Sequence, residues 1–421
     1  MTQGGNPLAL EVGDEEMLER VAASGNAMIA RAITWANINS GSRNLAGLAA
    51  QAEQLEPVMR EFPGKFERIP LADTCVIDTE GRNILQANGD ALLLTMRPDT
   101  PVQIVLTGHH DTVYPPETPF RNVVTQSDGA FNGPGIADMK GGISVLLAAL
   151  AAFEDHPLSA NIGYRVLLSP DEETGSLASA PLLTRLGASA HVGMTYEPAL
   201  AEGRLAAARK GSGNYHIVVE GKAAHAGRNF NEGRNALMGA VRLAERLDAL
   251  NGQMDGVSVN IARIDGGSAL NAVPDRAVLR FNARVPDAQS QAWLNSMIDA
   301  ILAKGAGTDL RLSLHGGVTR PPKPFNAAQQ SLFAAVAATG ALIGQKIDWT
   351  SSGGVCEGNN LFAAGLPGID TLGVRGGAIH SSDEYAWPES FVERAQLSAL
   401  LLAKFASGAI DAVAIRRLMP A

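Results

Sequence analysis

Four short runs in the first half of the chain are dominated by apolar residues: "ALLLTM" (91–96), "VQIVLTG" (102–108), "GYRVLLS" (163–169) and "HVGMTY" (191–196). A strand of that kind cannot turn one face to water, so it belongs in a sheet covered on both sides. Segments with apolar residues at helical spacing, over 15–35, 45–61, 143–153 and 178–186, supply the cover. Strands and helices in this arrangement specify an α/β fold, a doubly wound mixed sheet that is in large part parallel.

The order changes near Gly211. Strand "NYHIVVEG", helix "RNALMGAVRLAERLDAL", strand "GVSVNIARID", strand "RAVLRFNARV", helix "DAQSQAWLNSMIDAILAKG" and strand "DLRLSLHGG" follow one another. That is the β-α-β-β-α-β order of a ferredoxin-like unit, in roughly the hundred residues of a small domain. The α/β texture then resumes, with a helix over 329–343, strands near 346–349 and 368–372, and a final helix over 388–405. The expected organisation is an α/β domain formed by 1–207 and 318–421, interrupted by an inserted domain at 208–317. "RPPKP" from Arg320 reads as the return linker.

With 421 residues, 46% of them apolar, the chain can bury more than one core. A net charge of -9 and the lack of a long basic run argue against nucleic acid or an anionic membrane as partner. Cys75 and Cys356 are the only cysteines, which excludes a disulfide framework and fits reduced thiols in a cytoplasmic setting. No basic segment leads into an apolar stretch at the N-terminus, so neither signal peptide nor anchor is expected, and 143–153 is too short to span a bilayer.

The residues able to do chemistry lie just past the predicted strands: His109, His110 and Asp111; Asp138; Asp171, Glu172 and Glu173; Glu197; and His380. In an open α/β sheet, ligands bind in the crevice beyond the carboxyl ends of the strands, where these side chains can converge. His156, His191, His216 and His315 read as ordinary structural or surface histidines. "FNGPGIADMKGG" begins like a dinucleotide fingerprint, but Asp138 occupies its third glycine position, where a carboxylate repels pyrophosphate. Neither G-x-S-x-G nor H-E-x-x-H occurs. Histidines and carboxylates at strand ends suit zinc, and a shared carboxylate lets two ions sit close together. Strand alternation places His109 and Asp111 on one side, with His110 turned away toward the cleft rim.

"GHHDTV", "GPGIADMKGG", "DEETGS", "YEPA", "GKAAHAG" and "GGAIHSSDEY", in that order, resemble the di-zinc aminoacylase and carboxypeptidase family. Glutamate carboxypeptidase, acetylornithine deacetylase, succinyl-diaminopimelate desuccinylase and peptidase T belong to it. The resemblance runs from about residue 30 to the C-terminus and implies a zinc-peptidase-like sheet with the ferredoxin-like insert. It also implies two Zn2+ per chain, with Co2+ or Mn2+ as substitutes, held by His109, Asp138, Glu173, Glu197 and His380. Asp138 would bridge the ions, with a cis peptide after it, and Asp111 would orient His109. Three carboxylates against two divalent ions leave the centre slightly positive, which favours bound hydroxide.

By the same resemblance Glu172 is the general base, His225 donates to the oxyanion, often from a partner subunit, and Asn271 and Arg284 bind a substrate carboxylate. "SSGGVCEGN" departs from the family's usual G-G-T-S-D-x-N at Val355, Cys356 and Glu357. The expected activity is hydrolysis of a peptide or N-acyl amide beside a free carboxylate, in the manner of glutamate carboxypeptidase. An N-acyl-amino-acid deacylase is the alternative within the family, and a non-catalytic metal-dependent binding protein the alternative outside it. The expected partners are a small peptide or acyl-amino acid and a second copy of the chain, joined through the inserted domain.

Overall fold

A computed structural model describes residues 8–307 and 309–420. Ten strands build its two principal sheets. They are β1 (Lys65–Pro70), β2 (Asp90–Met96), β3 (Val102–His109), β4 (Ile162–Ser169), β5 (Val192–Thr195), β6 (Gly211–Glu220), β7 (Ser258–Gly266), β8 (Arg276–Val285), β9 (Arg311–Arg320) and β10 (Gly368–Ile369).

The first sheet has the order β1-β2-β4-β3-β5-β10. β4, β3, β5 and β10 run parallel, whereas β1 and β2 form an antiparallel edge. Alternation along β2 shows why its strands are apolar throughout. Leu92, Leu94 and Met96 enter one core with Leu146, Phe153, Leu401 and Phe405, while Ala91 and Leu93 enter another with Leu182, Leu183 and Leu366. The larger core is built around helix Gly142–Glu154, which packs on helix Glu389–Ser407. The continuous stretch Ile136–Glu154 is long and apolar enough to cross a membrane, but 94% of its most apolar 18-residue window is buried within the protein.

The second sheet, β7-β8-β6-β9, is antiparallel and has its own core beneath helices Ala236–Asp248 and Ala288–Ala303. The ferredoxin-like insert is therefore present. Its opposite face receives a hairpin, Thr74–Ile77 with Asn83–Gln86, through Ile77 against Val218 and Val278.

Several expected boundaries move. The helix read over 15–35 is two helices, Asp14–Ala23 and Gly25–Ala36, separated at Ser24, whose hydroxyl donates back to the Val21 carbonyl. The strand expected near 346–349 lies instead at Trp349–Ser352, beside Leu205–Arg209. Arg320 is no linker residue: it is the last residue of β9 and is buried.

Candidate metal centre

β3, β4 and β5 end side by side, with His109 opposite Ser169 and Thr107 opposite Thr195. His109 closes β3, Glu172 and Glu173 follow β4, and Glu197 follows β5. The fourth contributor is the tight turn ahead of helix Gly142–Glu154. Gly135 adopts a φ of 71°, and a side chain there would press its Cβ to 2.8 Å from Thr112. Gly142 lets the helix start close on Tyr196, whose carbonyl would lie 2.1 Å from an added Cβ. The turn so placed carries Asp138, with a cis peptide to Met139.

The expected ligands converge. His109 Nε2 is 3.1 Å from Asp138 Oδ1 and 3.8 Å from Glu197 Oε1, and His380 Nε2 is 3.3 Å from both Asp138 Oδ2 and Glu173 Oε2. Asp138 thus stands between two imidazoles, one oxygen toward each. Asp111 lies behind His109, its carbonyl 3.1 Å and its Oδ1 3.3 Å from Nδ1. Nδ1 faces Asp111 and Nε2 faces Asp138, so a cation held by the carboxylates would take the Nε2 side of the ring while Asp111 keeps Nδ1–H. Asp111 also accepts the Ser42 hydroxyl at 2.6 Å and the backbone N–H groups of Glu172 and Glu173 at 3.2 and 3.1 Å. One buried carboxylate therefore fixes both the imidazole and the paired glutamates.

The electrostatics of this donor set call for cations. Burial, then the nearby Asp138, pushes Glu173 up to about 8 and raises Glu197 well above the usual carboxylate range. Burial works against ionised Asp138 too, but hydrogen bonds from His109 and His380 hold it low. Contacts with Asp138 and Glu173 raise His380 to about 11. Glu173 Oε1 is buried with no hydrogen-bond partner. Ligand atoms fall within 4.8 Å of one another in two groups: His109 with Glu172 and Glu197, and His109 with Asp138 and Glu173. The donors thus form two His/Asp/Glu clusters able to hold a pair of ions. Glu172 lies within reach of the first, but its Oε1 is engaged by Arg320 at 2.6 Å, which sets it apart from the other carboxylates.

The remaining candidates separate. Arg284 lines a cavity of about 680 Å³ together with Asp138, Glu172, Glu197 and His380. His225 and Asn271 are exposed, adjoin one another in the insert and do not line it. His225 Nδ1 accepts the N–H groups of Gly227 and Arg228, which leaves Nε2–H as a donor. Asp171 caps the following turn by accepting from Ala178 and Ser179. His110 does not reach the cleft rim: it is fully buried, bonded to the Asp90 carbonyl, and lowered by burial to about 4.

Arg320 and Arg209 escaped the sequence reading. Arg320 binds Glu172 through side chain and carbonyl, and Arg209 pairs with Asp370 at 2.7 Å in the cavity wall. Their signal was weak, since Arg320 reaches a partner 148 residues away.

A family model described as peptidase family M20/M25/M40 matches residues 105–404. Carboxypeptidase G2 of Pseudomonas sp. (strain RS-16) is 27% identical over 386 residues, covering 88% of both chains. A succinyl-diaminopimelate desuccinylase of Methylorubrum extorquens is 28% identical over 301 residues, 67% of this chain and 77% of that one. A tripeptidase from Staphylococcus aureus shares the fold, with a TM-score of 0.69 at 20% identity over 90% of this chain and 99% of its own. The chain belongs to peptidase family M20/M25/M40, and its centre is that of a metal-dependent hydrolase.

Proposed function

We propose that the chain hydrolyses a peptide or N-acyl amide bond next to a free carboxylate, with a preference like that of a glutamate carboxypeptidase. The observation that carries this reading is Arg284: it lines the cavity that holds the metal cluster, and its Nη1 is buried with no partner. Its Nε donates to Asn282 Oδ1 at 3.1 Å, and the unpaired Nη1 leaves the guanidinium a hydrogen bond to give, which suits a substrate carboxylate through a charge-assisted pair.

In this reading His109, Asp138 and Glu197 would hold one ion, and Asp138, Glu173 and His380 the other, with zinc as the expected metal and cobalt or manganese as substitutes. Bound ions would supply Lewis acidity and acidify water. Glu172 takes a proton from the attacking water and returns it to the departing amine. His225 donates Nε2–H to the developing oxyanion. Because His225 and Asn271 stand away from their own chain's cavity, we assign them to the site of a second subunit docked through the insert. Met238 and Val241 on the insert's helix, 44% and 41% exposed, support an apolar contact there. The division into 1–207 with 318–421 and an insert at 208–317 follows the same reading. Free Cys75 and Cys356 fit a cytoplasmic setting.

The test is a hydrolysis screen over N-acyl-amino acids and dipeptides ending in Glu, Asp, Gly or Ala, with zinc, cobalt and manganese, against chelated protein. Turnover should require metal and the free carboxylate. Equal turnover of carboxamide-blocked substrates would overturn the assignment, and turnover of acyl-amino acids alone would favour the deacylase.

A further inference from the structure

Glu384 lies four residues beyond His380, and its side chain is fully buried. Its carboxylate reaches away from its own loop into the turn that carries Asp138. Oε1 accepts the backbone N–H groups of Ala137 and Asp138, both at 3.0 Å, and Oε2 accepts that of Gly135 at 3.0 Å. The Tyr114 hydroxyl lies 2.7 Å from the same Oε2 and 2.8 Å from the Ser381 carbonyl. Bonds to the Glu384 carbonyl reinforce the clasp: the Gly133 N–H and the Asn132 side-chain amide both donate to it.

Successive backbone N–H groups aimed at one carboxylate form an anion nest, and charge-assisted bonds of this kind are the strong ones. The nest spans the N–H of Asp138 itself, so the Asp138 backbone cannot shift without breaking a bond to Glu384. On the other side, His380 is held at a φ of 64°, a left-handed conformation that a non-glycine residue keeps only when its surroundings impose it. Ser381 and Glu384 close that turn, with Ser381 Oγ donating to the Ala378 carbonyl and Glu384 N–H to the Ser381 carbonyl.

We propose that Glu384 is a positioning residue that locks the Asp138 turn to the His380 loop, and thereby sets the affinity of the metal position formed by Asp138, Glu173 and His380. It touches neither substrate nor metal. The other position needs Asp138 but not His380, so it depends on the clasp through one side only. The proposal rests on the two-metal reading of the centre.

The test uses E384Q, which keeps the shape but places an amide NH2 against donors already aimed at that point. Metal-stripped wild-type and variant protein are titrated with zinc, and with cobalt for its visible spectrum, while thermal unfolding of the metal-free forms is followed in parallel. Wild type should take up two ions. E384Q should keep one and bind the second about 10- to 100-fold more weakly, the range for a lost ligand-supporting group. Two wild-type affinities in E384Q overturn the role of Glu384. A wild-type stoichiometry below two overturns the two-metal reading, and the proposal with it. Should E384Q fail to accumulate folded, Y114F decides: it removes one donor, should weaken the same ion several-fold, and overturns the proposal if both affinities stay unchanged.

Discussion

Arg320 closes on Glu172 with Nη2 2.6 Å from Oε1 and 2.9 Å from the carbonyl oxygen, while its Nη1 donates to Asn360 at 2.8 Å. Because Arg320 ends β9, the strand by which the chain leaves the insert, one side chain ties that exit to the proposed base. R320M leaves a buried carboxylate without its cation, which costs about 3–5 kcal/mol. We expect a lower Tm together with a kcat at least tenfold below wild type. R320K, retaining charge without the planar fork, should fall between them. A lowered Tm with unchanged kcat would make Arg320 structural alone.

Glu172, the proposed base, stands close enough to His109 and Glu197 to be read as a ligand, yet its Oε1 is engaged by Arg320. E172Q separates the two roles. Loss of a general base lowers kcat by about 10²- to 10⁴-fold and leaves metal content at the wild-type value. Loss of one ion per chain, by elemental analysis, would reassign Glu172 as a ligand.

The parts of the fold legible in the sequence were those with a repeating physical signal. β2 to β5 announced themselves because both faces are buried, and the insert because its strands and helices alternate with distinct periods. β1 carried no such signal: "KFERIP" is a half-exposed antiparallel edge. The short helix Ala412–Arg417 likewise has only six residues. At the centre, the candidate residues were legible because their types and strand-end positions narrow the chemistry, while their separate roles came only from the resemblance to a family. Arg320 hid in a proline-rich segment, and Glu384 in a polar loop, because each acts only through a partner distant in sequence.

If His225 acts across a subunit interface, inactive subunits should complement one another. Mixing H225A with E172A subunits puts an intact Glu172 beside an intact partner His225 in one site of each heterodimer. With random exchange, half the dimers are mixed, and activity should recover to about a quarter of wild type. Each variant alone should stay nearly inactive. No recovery despite exchange verified by mass spectrometry would place His225 in its own chain's site or outside catalysis.

Glu357 lies in "SSGGVCEGN", the segment expected from the sequence to depart from the loop of similar proteins. One oxygen meets the Ser169 hydroxyl, and the other is buried with no partner. Burial, opposed by the Ser169 bond and then reinforced by Glu172, pushes the carboxyl up to about 8, despite the attraction of Arg320 and His109. Below the usual carboxylate range both folded and unfolded chains hold this proton. Between that range and about 8, only the folded chain does, so stability falls as pH rises through the window, by up to about 1.4 kcal/mol per pH unit. E357Q is neutral throughout and escapes the loss. In metal-free protein, the Tm of E357Q relative to wild type should therefore rise steadily from pH 5 to pH 8. A difference that stays flat over that range would mean that Glu357 is ionised in the fold, held so by Arg320.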